Sequence, residues 1–231
     1  MSAGAVEIDE LVLGDEPARW RALGFELDGD DGVRLGDVRV RLAGDAARSG
    51  STPAFVGWSL RGLASDALDG LPTTRAPAAE PDRAASATPT DGAQGAHANG
   101  VVAIDHVVAM TPALDRTVAA LQAAGLDLRR IRDEPTPAGA PRQAFFRLGA
   151  QILEVVQEPQ EVVVRAGGPA RPARLWGLAL LSDDLDHTVR ALGEHAGEAR
   201  AAVQPGRRIV TVRRSAGLAV PLAVMSARAS G

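Results

Sequence analysis

A chain of 231 residues with 45% hydrophobic side chains is long enough to bury a real core, in one large domain or two small ones. Zero cysteines exclude disulfides, thiolate catalysis and cysteine-held zinc, so a metal would need imidazole and carboxylate ligands. A net charge of −4, scattered arginines and 3% aromatics with no tyrosine argue against nucleic acid as a partner.

No stretch approaches the length that spans a bilayer, and the acidic start MSAGAVEIDELVL lacks the basic region and cleavage site of a signal peptide. The expectation is a cytoplasmic protein with no membrane partner. Along the chain, VEIDELVL (6–13) reads as a strand and EPARWRALGF (16–25) as a brief helix ending at Gly24. VRLGDVRVRL (33–42) and FVGWSLRGL (55–63) are strand-like. Residues 72–100 contain four prolines and no aliphatic side chain larger than alanine, so they predict a flexible linker. VVAIDHVVAM (101–110) is an extended apolar run. The helix after it carries Leu114, Val118 and Leu121 at helical spacing, with Thr111 as N-cap and Pro112 at the first helical position.

RQAFFRLGAQILEVV (142–156) predicts a pair of strands, and a second break at 157–174 contains Val162–Val164, which fit a short strand. LWGLALL then precedes a helix with Leu185, Val189 and Leu192, capped by Ser182 or Asp183. RRIVTVRRSAGLAVPLAVM (208–225) supplies the last strands. The chain resembles itself. LDRTVAAL matches LDHTVRAL at an offset of 71 residues, VEIDELVL answers VAIDHVVA, and VRLGDVRVRL answers FRLGAQILEV. The repeated unit is strand, helix, then two or three strands. Asp115 and Asp186 open the two matching helices, where negative charge favours the helix start.

Strand alternation groups Val102, Ile104, His106, Val108 and Met110 on one face, and Ile152, Glu154 and Val156 on another. His106 and Glu154 sit among apolar neighbours, where each needs a partner. Two readings stand side by side. His106 is a core histidine bonded to a carbonyl or carboxylate, or His106 and Glu154 form half of a metal site for Mn, Fe, Zn, Co or Ni. A pocket lined by Val102, Ile104, Phe146, Ile152 and Trp176 would suit a small molecule, although for Trp176 the favoured expectation is that it fills the core. Arg147, Arg213 and Arg214 are candidates to meet an anion or are plain surface residues.

The unit, with His106 in IDHVVAMTPALDRTVAAL and Glu154 in RQAFFRLGAQILEVV, resembles the vicinal oxygen chelate superfamily, which includes glyoxalase I, extradiol dioxygenases, methylmalonyl-CoA epimerase and the fosfomycin and bleomycin resistance proteins. The resemblance covers 101–226 well and 5–43 loosely. It implies an α+β fold in which paired βαβββ modules form a U-shaped sheet around a cleft. Modules at 101–158 and 172–226 would pair. An incomplete N-terminal module at 5–63 would be completed by FVGWSLRGL or by another chain, as in a homodimer. By the same resemblance His106 and Glu154 are metal ligands for a divalent Fe, Mn, Zn, Ni or Co ion, and Glu154 also moves a proton in a glyoxalase- or dioxygenase-like reaction. Leu178 and Pro221 at the partner positions depart from the pattern, with Glu10, Asp105, His187 and Glu194 as candidates to complete the set. The alternative is a metal-free protein that binds or sequesters a small molecule.

Overall fold

The computed structural model describes residues 5–44, 54–77, 97–136 and 139–227. Two sheets account for the strands. The first contains β1 (Glu7–Leu13), β2 (Gly32–Leu35), β3 (Val38–Leu42), β4 (Phe55–Arg61) and β5 (Thr73–Arg75), in the order β2-β3-β1-β4-β5, with the short helix α1 (Pro17–Ala22). The second has eight strands. One half is β6 (Val101–Thr111), helix α2 (Leu114–Ala123), β7 (Asp127–Arg132), β8 (Gln143–Leu148) and β9 (Gln151–Gln157). After helix α3 (Gln160–Arg165), the other half is β10 (Arg174–Ser182), helix α4 (Leu185–Leu192), β11 (Arg200–Ala201), β12 (Arg208–Thr211) and β13 (Leu222–Ser226).

The order β11-β12-β13-β10-β6-β9-β8-β7 makes the halves mirror each other in sequence. β6 and β10 run antiparallel at the centre, with Val107 opposite Leu178, and each is flanked by its own last strand in parallel, β9 or β13. This is a pair of strand–helix–strand modules joined through their first strands. The first sheet repeats the plan in reduced form. β1 lies antiparallel to β4 with Leu11 opposite Trp58, β1 is parallel to β3, and β4 is parallel to β5.

The apolar periodicity of each element explains which face is buried. Leu114, Val118 and Leu121 of α2 and Leu185 and Leu192 of α4 pack on Val107, Ala109, Leu153, Val155, Leu178 and Val224, and the same cluster runs on into Leu11, Leu13, Trp20, Phe55 and Trp58 of the first sheet. One core therefore joins both sheets on the helix side. Polar ties reinforce it: Gln151 Nε2 donates to Asp37 at 2.9 Å, and Asn99 Nδ2 donates to the Leu23 carbonyl at 2.9 Å.

Several local expectations change. Thr73–Arg75 form a strand beside β4, and His97 and Asn99 are buried, so residues at both ends of the 72–100 segment are ordered parts of the fold, while 78–96 lie outside the described residues. Backbone pairing to β4 and side-chain bonds to the first sheet supply what composition alone did not reveal. Val162–Val164 lie in α3, a helix entered through Pro159 and left through Gly167 and Gly168, both at positive φ. Thr111 remains in β6 and Ala113 holds the N-cap position of α2; Asp184 caps α4, accepting from His187 N at 2.9 Å. The hydroxyls of Thr111 and Ser182 are instead turned inward to Thr117 and Thr188, at 2.6 and 2.8 Å.

Candidate functional site

Adjacent residues of a regular strand point to opposite faces, yet Asp105 and His106 are bonded to each other. The cause is a bulge. In the β6–β10 ladder His106 lies opposite Ala179 and Ile104 opposite Leu180, so Asp105 is an extra residue with no partner. Beyond the bulge the alternation inverts. Ile104 joins Val107 and Ala109 in the helix-side core, whereas Val108 and Met110 pack with Ala140 and Val156 in a second small cluster. The face expected to hold both Ile104 and His106 is thus split.

His106 is largely shielded from solvent, and each ring nitrogen meets a carboxylate: Nδ1 lies 2.8 Å from Asp105 Oδ2 and Nε2 lies 3.2 Å from Glu154 Oε2. Glu154 also accepts from Gln143 Nε2, and Asp105 accepts from Arg207 at 2.6 Å. Arg207 is held in turn by the Ser226 carbonyl at 2.8 Å. Burial alone would push the imidazole towards neutrality. The bonds to Asp105 and Glu154, with their negative charges, outweigh burial and raise its pKa to about 9. Burial likewise works against ionised Asp105, but His106 and Arg207 prevail and hold its carboxyl below the usual range. The cluster is a partly buried chain of Arg207, Asp105, His106, Glu154 and Gln143, with each carboxylate between two donors.

The register identifies what stands across the central axis. Since Val107 faces Leu178, His106 answers Gly177; since Val107 pairs with Leu153 as Leu178 pairs with Leu222, Glu154 answers Ala223. The counterparts inferred from sequence, Leu178 and Pro221, are each displaced. Leu178 is buried on the helix side, and Pro221 sits where a side chain on Gly177 would strike it, with the Pro221 oxygen 2.8 Å from an added Cβ. This half of the sheet offers no ligand at either position.

The residues suggested to complete a metal set are scattered. Glu10 is in the first sheet, 3.2 Å from Arg41; His187 Nε2 meets the Ala98 carbonyl at 2.9 Å; Glu194 is exposed in a one-turn helix at 193–195. Asp105 is the one brought to His106, on the Nδ1 side, away from Glu154. Among the described residues no group of three or more His, Cys, Asp or Glu side chains could hold a metal ion. His106 and Glu154 supply two donors, and a catalytic divalent site takes at least three from the protein with water or substrate completing the shell, so the residues do not fit the implied ion.

The expected pocket also changes. Phe146 and Ile104 are buried on the helix side, and Trp176 is a second bulge residue, 41% exposed, so it does not fill the core. Away from the helices, a depression of about 290 Å³ is lined by Asp105, Ile152, Leu181, Gln204 and Arg207. Arg213 and Arg214 are exposed in the loop after β12, and Arg147 is exposed on β8. Sequence reasoning missed Gln143 and Arg207. Gln143 was signalled by its two-residue spacing from Phe145, which lies opposite Glu154; nothing local signalled Arg207, whose partner is 102 positions away.

No protein-family model and no curated protein matches the chain. Solved structures do. A xylose isomerase-like TIM barrel/4-hydroxyphenylpyruvate dioxygenase fusion protein is 14% identical with a TM-score of 0.61; the match covers 100% of this chain and 50% of that one. Methylmalonyl-CoA epimerase from Mycobacterium tuberculosis is 19% identical over 57% of this chain and 91% of its own, with a TM-score of 0.45. Hypothetical protein BH1468 from Bacillus halodurans is 12% identical over 55% of this chain and 96% of its own, with a TM-score of 0.44. With its paired strand–helix modules, the chain has a fold of the vicinal oxygen chelate type.

Proposed function

We propose that the chain binds a small organic molecule on the face of the eight-stranded sheet turned away from the helices, in a cleft formed as the two modules curl, and does so without a divalent metal. The observation that carries this reading is the state of His106. Both ring nitrogens are engaged by carboxylates, and the positions related to His106 and Glu154 across the axis are Gly177 and Ala223. A metal would have to displace the imidazole proton and would still find two protein donors. Glu154, proposed from sequence as the proton-moving group, accepts from His106 and Gln143 through separate oxygens. To act as a base it would have to release one of them. A binding role uses the cluster as it stands, as a fixed polar floor beside the apolar patch of Val108, Met110, Ala140 and Val156.

The test is metal analysis after incubation with Mn²⁺, Fe²⁺, Co²⁺, Ni²⁺ and Zn²⁺ in turn, followed by dialysis. Less than a tenth of an equivalent should remain in each case. One retained ion per chain that is lost in His106→Ala would overturn the metal-free reading.

A further inference from the structure

Cross-strand neighbours share a face, so the register maps what surrounds the Glu154 cluster. On β7 and β8, Arg130 lies opposite Phe145, which lies opposite Glu154; Arg147 lies opposite Ile152, which pairs with His106. A further bulge at Arg129 sends Leu128 and Ile131 to the helix-side core and leaves Arg130 on the other face. Arg130 and Arg147 are both exposed, and neither has a carboxylate within ion-pair range among the described residues. Asp127, opposite Arg147 in the ladder, is turned to Arg129 at 3.0 Å. Diagonal neighbours on adjacent strands stand roughly 7–8 Å apart at Cα, within reach of one shared anion for two arginine side chains.

The rest of the local charge cancels. Asp105 and Glu154 offset His106 and Arg207, so the two guanidiniums are a net positive wall beside Phe145 and, past Glu154, the apolar patch of Val108 and Met110, on a chain whose overall charge is −4. Building on the binding role proposed above, we infer that the ligand is an apolar-bodied organic anion, a carboxylate or its like, whose charge is taken by Arg130 and Arg147 while its body lies over Phe145 towards Val108 and Met110.

Naphthalene-1-carboxylate and naphthalene-1-carboxamide separate charge from shape, and calorimetry with the full chain reads both. The carboxylate should bind at least ten-fold more tightly than the amide. The Arg130→Ala/Arg147→Ala double variant should lose that preference, with amide affinity changed less than two-fold. Arg190→Ala, on α4 and hence the helix side, makes half the charge change and should leave the preference intact. Equal binding of both probes to the unaltered chain, or a preference that survives in the double variant, overturns the inference while the binding role stands. If neither probe binds, both fall.

Discussion

The two sheets are built on one backbone plan and put it to different uses. Each has a bulge before the residue at the His106 position, Asp9 in one and Asp105 in the other. Each has a second bulge across the axis, at Val56 and at Trp176, followed by a glycine whose Cβ would meet a proline carbonyl at 2.8 Å. At the corresponding positions the first sheet has Glu10 and Arg41, 3.2 Å apart and 26% and 40% exposed; the second has His106 and Glu154, also 3.2 Å apart but 13% and 16% exposed. Geometry alone therefore does not make a site. What differs is burial, which turns an ordinary surface ion pair into a strongly coupled cluster.

Replacing His106 by alanine leaves Asp105 and Glu154 each short of a donor in a shielded place, and the expected cost is about 3–5 kcal/mol in urea unfolding. Glu10→Ala, at the matching position, should cost less than about 1 kcal/mol. Equal losses would mean that burial does not distinguish the two ion pairs. The histidine also sets an alkaline limb. Its pKa rises from 6.5 to about 9 on folding, worth roughly 3 kcal/mol. That contribution is complete below pH 6.5 and is lost as the pH rises through about 9. In His106→Ala this alkaline loss of stability should be absent.

Much of this plan was legible in the chain. The matching helices, the Arg-Leu-Gly turns and the alternation of β8 and β9 all reflect local periodicity, which sequence records directly. The residues His106 and Glu154 were legible as polar side chains in apolar strands. Their surroundings were not. A single bulge at Asp105 inverts the faces on either side of it, so Ile104 lies in the core and not in the pocket; Phe146 lies in the core by plain alternation, since its neighbour Phe145 is the residue opposite Glu154. The helix offset of 71 leads from His106 to Gly177, one residue before Leu178, and Ala223 lies two residues beyond Pro221 because the connections from helix to last strand differ in length between the halves. β5 escaped notice because three residues, Thr73–Arg75, gain their order from β4 and carry no apolar pattern of their own.

The two sheets also share a glycine step in the backbone. Leu178 N–H donates to the Pro221 carbonyl and Trp58 N–H to the Pro72 carbonyl, both at 3.1 Å, so each glycine lets two parallel strands approach where they first meet. Gly177→Ala and Gly57→Ala should each destabilise the chain by about 2 kcal/mol, since the new methyl meets backbone that must shift. Matched losses in thermal or urea unfolding support one plan in both sheets. A neutral Gly57→Ala beside a costly Gly177→Ala would mean that the first sheet relaxes freely and that the shared register there has no structural force.

The smallest expected effect belongs to the other buried histidine and has the opposite sign. His97, just before β6, accepts from Glu26 N–H through Nδ1 at 3.0 Å, and its Nε2 is 3.0 Å from the Arg34 carbonyl, which fixes Nε2–H as the donor. Burial lowers its pKa; the Arg34 carbonyl bond and the Glu26 charge oppose this without overcoming it. A proton on Nδ1 would face the Glu26 N–H, donor against donor. Because the folded state disfavours the charged ring, the stability His97 contributes is present above pH 6.5 and is lost as the pH falls below that value. Urea midpoints followed from pH 7.5 down to 4.5 should therefore decline less steeply in His97→Gln than in the unaltered chain, even if the variant starts lower. Parallel declines would assign the acid limb to carboxylates elsewhere and remove His97 as the acid-sensitive tie between the first sheet and the start of β6.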